Sequence, residues 1–152
     1  MRVRSIRTAG IVGVLLFHIG VPVQSTESQQ NVIGIDIDGL RSDRGLVLCG
    51  LFSSAADFPK KPEKALARGK STILNGHATC QFESIPSGTY AVSVFHDENS
   101  NGKLDTNFLG IPREGVGASN NPTGHLGPPK FSAAAFYHSG NRTRLKITVK
   151  YL

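Results

Sequence analysis

The sequence predicts an all-β protein, namely a single β-sandwich of about seven strands with one long ordered loop. Short runs of alternating apolar and polar residues recur along the chain, and turn-forming Gly, Pro, Asn and Asp residues separate them. No long amphipathic helix pattern is present. A chain of 152 residues is enough for one such core and hardly enough for two.

The first 25 residues have the pattern of a cleaved signal peptide. Arg2, Arg4 and Arg7 precede an apolar run from Ala9 to Val23, and small and polar residues follow up to a cut after Ser25. A transmembrane anchor is the alternative, but the run is short of the roughly 20 residues that span a bilayer. We therefore expect an exported protein, periplasmic or extracellular, with no transmembrane anchor after cleavage and with its domain at residues 31–152.

Net charge gives little reason to expect a nucleic-acid partner. Three of the 17 Lys and Arg lie in the expected signal peptide and all 11 Asp and Glu follow it, so the mature charge is 14 − 11 = +3. Nucleic-acid binding favours a basic stripe interleaved with aromatic residues. The one basic cluster contains no aromatic residue and is predicted to be a solvated loop: Lys60, Lys61, Lys64, Arg68 and Lys70.

The first half of the mature chain predicts three strands. Residues 31–40 alternate Ile with Gly and Asp, which is typical of a half-buried strand. Residues 45–52 are apolar and short, which indicates a strand buried on both faces. Residues 53–70 form an exposed excursion broken by prolines, with a short helical turn. Residues 71–85 predict a third strand, broken into a hairpin at Asn75-Gly76.

The second half predicts a central strand, a long loop and a terminal strand. Residues 89–96 are apolar on both faces, as in a strand covered on both sides. Residues 106–130 contain five Gly and four Pro with little periodicity, so a loop this long needs a restraint or a function. Residues 133–137 predict a strand or helical turn, and residues 144–152 an amphipathic strand. Together these elements favour an immunoglobulin-like or transthyretin-like sandwich.

The chain has two cysteines, Cys49 and Cys80, both in strand-like segments. Because an exported chain meets an oxidising compartment, we expect a disulfide between them. It would close a loop of about 30 residues and contribute roughly 3 kcal/mol. Two buried free thiols are the alternative.

The residues from Asp97 to Asp105 read D-E-N-S-N-G-K-L-D and have the spacing of a calcium loop. The oxygen ligands fall at positions 1, 3, 5, 7 and 9, with a glycine at position 6. The predicted ligands are Asp97, Asn99, Asn101, the main-chain carbonyl of Lys103, and Asp105. The bidentate Glu of an EF-hand is absent because position 12 is Phe108, so Glu114 and Glu98 are the nearby carboxylates left to complete the shell.

Two other interpretations of this stretch stay open. Asp and Asn side chains also close turns through local hydrogen bonds, so the loop can be a polar turn without metal. Alternatively, the protein is a hydrolase or other enzyme that uses His96 and the loop carboxylates. Adjacent strand residues point to opposite faces, so His96 and Asp97 are not an obvious catalytic dyad.

Several stretches together resemble a family of bacterial secreted proteins, the domain of unknown function 2141. They are SIPSGTYAVSVFHDENSNGKLDTNFLGIPREGVGASNN, GPPKFSAAAFYHSG and ITVKYL, preceded by NVIGIDIDGLRSDRGLVLCGLF. The resemblance covers nearly all of the mature chain. It implies export and a small β-domain, and it assigns no reaction.

Looser likenesses add a further expectation. PSGTYAVSV is similar to the strand entry of transthyretin-like domains, and D-x-N-x-N-G-x-x-D after a strand is similar to the calcium-binding B-type repeats of bacterial surface adhesins. The adhesin likeness implies that the loop binds calcium and that Glu114 supplies the later acidic ligand. We therefore expect a non-enzymatic binding or structural module whose partner is an envelope protein, a glycan or another extracellular ligand.

Overall fold

The alternating runs form eight strands in the computed structural model, which describes residues 31–123 and 127–152. The expected signal peptide, residues 1–25, lies outside the described residues. Among those described, no helix is long and apolar enough to cross a bilayer. The strands are β1 Ile33–Asp38, β2 Leu46–Phe52, β3 Ala67–Ser71, β4 Ala78–Phe82, β5 Gly88–Asp97, β6 Val116–Ala118, β7 Phe136–His138 and β8 Thr143–Thr148.

The strands form two sheets, which confirms the all-β sandwich. One sheet has the order β4-β1-β8, with β1 antiparallel to β4 and parallel to β8. The other has the order β3-β2-β5-β6, and β7 pairs with the start of β5. Two short helices complete the described chain, a 3₁₀ turn at Pro62–Lys64 and α1 at Phe131–Ala134.

The core lies between the sheets. Every second residue of β1, namely Ile33, Ile35 and Ile37, is at most 1% exposed, as the period of two requires. These side chains pack with residues of β2, β5 and β8, which belong to both sheets: Val47, Leu51, Val92, Val94 and Ile147. The alternation of the sequence therefore places one face of each sheet in the core.

A disulfide joins the two sheets, as predicted. Cys49 lies in β2 and Cys80 in β4, and both are buried. Their Cα atoms are 6.7 Å apart, within the usual range for a disulfide.

The outer face of the larger sheet is also covered, which explains why β5 is apolar on both sides. Phe52, Ala91 and Ala118 contact Phe58 and Ala134 there. Phe58 packs edge to face against Phe52 and Phe131. The proline-rich excursion and α1 thus form a second, smaller apolar cluster outside the sheet.

The predicted hairpin turn at Asn75-Gly76 is confirmed, since Leu74 and His77 exchange two main-chain hydrogen bonds across it. Both residues have positive φ, 53° and 73°, as a type I′ turn requires. However, β3 and β4 enter different sheets, so this turn is a connection across the sandwich. The segment predicted as one long loop, residues 106–130, contains the short strand β6. Residues 124–126 of this segment lie outside the described residues.

The strand registers define two ends of the sandwich. At the loop end, β5 finishes at Asp97 beside Leu46 at the start of β2, and β1 finishes at Asp38 beside Thr148 of β8. The connection from β3 to β4 also lies there, since Ser71 pairs with Val47 next to the start of β2. The opposite end contains the start of β5 and β7.

Candidate functional site

The predicted calcium loop begins where β5 ends, at the loop end of the sandwich. Asp97 is 1% exposed although it is the last residue of its strand. The start of β2 packs against it through Gly45, which has a φ of +73°. A Cβ at Gly45 would overlap the main chain of Asp97 and Glu98, so this close approach requires glycine. Sequence reasoning missed Gly45, because its partner lies half the domain away.

The carboxylate of Asp97 organises the turn that follows it. Its Oδ1 accepts the N–H of Asn101 at 3.0 Å, and its Oδ2 accepts the N–H of Gly102 at 2.8 Å. The chain reverses through left-handed conformations at Ser100 and Gly102, with φ of 58° and 77°. Asp97 therefore caps the turn through two donors, as a first-position aspartate would.

Glu114 joins the two ends of the loop. It is 4% exposed, and its Oε1 and Oε2 accept the N–H groups of Glu98 and Asp105, each at 2.9 Å. The N–H of Arg113 also donates to the carbonyl of Asp105 at 2.9 Å. The structure thus brings Glu114 to the base of the loop, nine residues after Asp105 in the sequence.

The remaining predicted side-chain ligands contact one another above this base. Asn99 Nδ2 donates to Asp105 Oδ2 at 2.7 Å, and Asn101 Nδ2 donates to Asp105 Oδ1 at 3.1 Å. Asn101 Oδ1 accepts the N–H of Lys103 at 2.7 Å. The three side chains of Asn99, Asn101 and Asp105 therefore form one cluster of oxygen-bearing groups.

Carboxylates alone do not form a cation site here. Across residues 31–123 and 127–152, no group of three or more His, Cys, Asp or Glu side chains is arranged to hold a metal ion. A cation at this loop would need amide and main-chain oxygens in its shell, as calcium accepts. The predicted ligand set has this composition, because Asn99, Asn101 and the Lys103 carbonyl are neutral donors.

Most acidic side chains in the loop or at its base form no ion pair with a basic side chain in the described residues. Glu98 Oε1 lies 2.6 Å from Arg41 Nη2. Within the described part of the chain, Asp97, Asp105 and Glu114 have no salt bridge. These three carboxylates, two in the loop and one at its base, thus accept hydrogen bonds from N–H groups alone among the described residues.

His96 lies directly below the loop and is fully buried. Its Nε2 is 2.6 Å from the carbonyl oxygen of Arg44, so Nε2 carries the proton and donates it. Its Nδ1 is 2.6 Å from the hydroxyl of Tyr151, which donates to that nitrogen and accepts the N–H of Arg41. Both ring nitrogens are therefore engaged, which offers no support for His96 as a general base.

Tyr151 and Arg41 complete the assembly around His96, and sequence reasoning missed both. The Arg41 guanidinium lies 4.3 Å from the centre of the Tyr151 ring, while the same side chain pairs with Glu98. Burial, followed by the nearby Glu98 carboxylate, raises the pKa of Tyr151 above its ordinary value of 10.0. The two residues are 110 positions apart, so no local pattern could have joined them.

The fold and this site define a two-sheet, disulfide-linked β-sandwich with a self-capped acidic loop at one end. Residues 35–146 match the model of a family described as "Uncharacterized protein conserved in bacteria (DUF2141)". The chain therefore belongs to the domain of unknown function 2141 family, as its sequence indicated. No curated protein and no solved structure matches the chain.

Proposed function

We propose that this protein is an exported, non-enzymatic binding or structural module whose loop from Asp97 to Asp105 binds calcium. The ligands would be Asp97, Asn99, Asn101, the Lys103 carbonyl and Asp105, with Glu114 at the base. The cation would tie the loop to the sandwich and order the segment that follows. The module would act toward an envelope protein, a glycan or another extracellular ligand.

One observation carries this proposal, namely that Asp97 and Asp105 in the loop and Glu114 at its base have no basic partner within the described residues. A divalent cation would supply the positive charge that no basic side chain provides to these carboxylates. The existing hydrogen bonds do not exclude a cation, because two carboxylate oxygens offer about four lone-pair sites. Asp97 and Glu114 each use two of theirs on main-chain N–H groups.

Thermal unfolding of the metal-stripped protein, with and without millimolar calcium, tests the proposal. A ligand that binds only the folded state stabilises it by RT ln(1 + [L]/Kd), about 2.7 kcal/mol at a hundredfold excess over Kd. We expect the melting temperature to rise in calcium and to change less in magnesium, which prefers a regular octahedral shell.

Asp105→Asn is the most informative variant. Asp97 and Glu114 hold the main chain, so replacing either one destabilises the loop with or without metal. Asp105 accepts side-chain donors only from Asn99 and Asn101, so its variant should leave metal-free stability nearly unchanged and abolish the calcium shift. Asp36→Asn, an exposed acid on the other sheet, is the matched control and should keep the shift. The absence of a shift at saturating calcium would identify the loop as a hydrogen-bonded turn.

Export is tested separately by expressing the full chain in a bacterial host and fractionating the cells. We expect the protein outside the cytoplasm with a mass that corresponds to cleavage after Ser25. Recovery of the uncleaved chain in the membrane fraction would favour the anchor instead.

A further inference from the structure

Large exposed apolar side chains are concentrated at the loop end. Within the described residues there are eight of them, and only Leu66 and Tyr137 lie at the opposite end. The other six belong to two connections at the loop end and to the segment after β8: Leu74, Leu104, Phe108, Leu109, Ile111 and Leu152. Single exposed apolar residues are ordinary, but a concentration on one end indicates an interaction surface.

Phe108, the most exposed of these side chains, forms with Leu109 the tip of a small hairpin, residues 106–112. Phe108 is 94% and Leu109 is 68% exposed. Thr106 and Pro112 form a bridge at its base, and the N–H of Asn107 donates to the carbonyl of Ile111 at 2.9 Å. A phenylalanine that is almost fully exposed does not line a groove. The tip can therefore insert into a binding partner, but it cannot form a pocket that holds one.

Three main-chain N–H groups of the tip are hydrogen-bonded within the hairpin. The side-chain oxygen of Asn107 accepts the N–H groups of Leu109 and Ile111 at 2.9 and 3.0 Å. The N–H of Gly110 donates to the Asn107 carbonyl at 2.9 Å. An unpaired N–H is costly to remove from water, and it has no partner in an apolar phase. This tip can therefore leave water without exposing those donors.

A second loop at the same end is held in a similar way. Asp43 accepts the N–H groups of Asn75 and Gly76 at 2.9 and 2.8 Å, which fixes the turn that exposes Leu74. Two turns with hydrogen-bonded main-chain N–H groups thus present apolar side chains at one end.

Exposed cations surround these apolar tips. Lys103 and Arg113 flank the hairpin, and Arg44 and Lys150 are exposed at the same end. Of the acids at this end, Asp97 and Glu114 are buried and Glu98 pairs with Arg41. Asp43 is hydrogen-bonded to the turn at Asn75 and Gly76, and the partly exposed Asp105 is hydrogen-bonded to Asn99 and Asn101. Among the charged residues of this end that are exposed to solvent, basic residues therefore outnumber acidic ones, which suits an anionic surface.

We propose that the loop end docks on an anionic lipid surface, with Phe108 and Leu109 inserted below the headgroups and Lys103 and Arg113 among them. Apolar insertion combined with cations at headgroup level is the usual basis of peripheral membrane binding. A protein pocket is the less favoured occupant, because the apolar side chains stand on separate convex turns. This inference goes beyond the calcium proposal and does not depend on it.

Single-tryptophan variants test the insertion directly, since the chain has no tryptophan. Phe108→Trp places the reporter at the tip, and Tyr137→Trp places it at an exposed site on the opposite end. Vesicles of phosphatidylglycerol and brominated phosphatidylcholine are added in EDTA. We expect blue-shifted, quenched emission from Phe108→Trp only. Unchanged emission from Phe108→Trp, or equal quenching of both variants, refutes insertion by this tip.

Co-sedimentation with the same vesicles tests separately the apolar insertion and the electrostatic attraction that together would bind the protein to the membrane. We expect Phe108→Ser/Leu109→Ser to weaken binding about a hundredfold and Lys103→Glu/Arg113→Glu at least about tenfold. Leu66→Ser/Tyr137→Ser and Lys60→Glu/Lys61→Glu, at the opposite end, are the matched controls and should bind as wild type. Loss of binding only on charge reversal would overturn insertion. Wild-type dimers that Phe108→Ser/Leu109→Ser makes monomeric, without vesicle binding, would assign the tip to a second copy of the chain.

Discussion

The two ends of the sandwich each bury a histidine in nearly the same way. At the loop end, His96 is bonded to the Tyr151 hydroxyl and to the Arg44 carbonyl. At the opposite end, His138 is bonded to the Thr143 hydroxyl at 2.7 Å and to the Ile85 carbonyl at 3.1 Å. Both rings are fully buried. In each case a hydroxyl and a main-chain carbonyl satisfy the ring and join a sheet to a neighbouring connection.

The ends differ in their carboxylates and in what they expose. In the described part of the chain, both buried carboxylates, Asp97 and Glu114, are at the loop end, and so are most of the exposed apolar side chains. The shared histidine arrangement therefore indicates packing, while the features present at one end only indicate function. A buried histidine beside a carboxylate in the sequence is by itself weak evidence for catalysis.

The largest loss of stability that we expect comes from removing the disulfide, which lies between the two ends of the sandwich. Cys49→Ala/Cys80→Ala removes a link across 31 positions between the two sheets, and the chain-entropy model gives a loss of about 3–4 kcal/mol. Because the link lies in the strands, amide hydrogen exchange should become faster at both ends together. Faster exchange at one end alone would show that the ends unfold as separate units.

Replacing either of the two buried histidines should lower the stability of the protein by a similar amount. His96→Ala and His138→Ala each leave a cavity and an unpaired buried carbonyl, so each should lower the free energy of unfolding by about 2–4 kcal/mol. Denaturant titrations measure this loss, and His77→Ala, at an exposed histidine, is the control. A His96→Ala variant as stable as wild type would revive the hypothesis that this histidine is kept for an activity.

The sequence predicted the parts of the fold that alternate. Ile33, Ile35 and Ile37 indicated β1, and Leu145 and Ile147 indicated β8, because burial on one face imposes a period of two. The strands β3 and β6 were missed. The first, ARGKS, is a polar edge strand, and the second has three residues and no alternation. The sequence also did not predict which strands pair. The turn at Asn75-Gly76 is an example, because its residues fix the local geometry of the turn but do not determine which sheet the next strand, β4, enters.

For the site, spacing indicated which residues meet within the loop. The regular positions of Asp97, Asn99, Asn101 and Asp105 predicted a tight turn, and Glu114 was the nearest later acid that could reach it. The contacts that hold His96 were not predictable, because Tyr151 and Arg44 are 55 and 52 positions away in the sequence. Calcium binding itself stays a prediction, since hydrogen bonds alone can also close the loop.

The smallest loss of stability that we expect follows removal of the Tyr151 hydroxyl, which is hydrogen-bonded to His96 at the loop end. At neutral pH, Tyr151→Phe removes the bonds to His96 and Arg41 and should lower stability by about 1 kcal/mol. Burial raises the pKa of Tyr151, so the folded state keeps this proton to a higher pH than the unfolded chain does. The resulting stability is complete below the ordinary value of 10.0 and is lost as pH rises above it. Denaturant titrations across this range should therefore show a steeper alkaline loss for wild type and for Tyr137→Phe than for Tyr151→Phe. Equal alkaline loss in all three proteins would mean that the loop-end assembly does not depend on this proton.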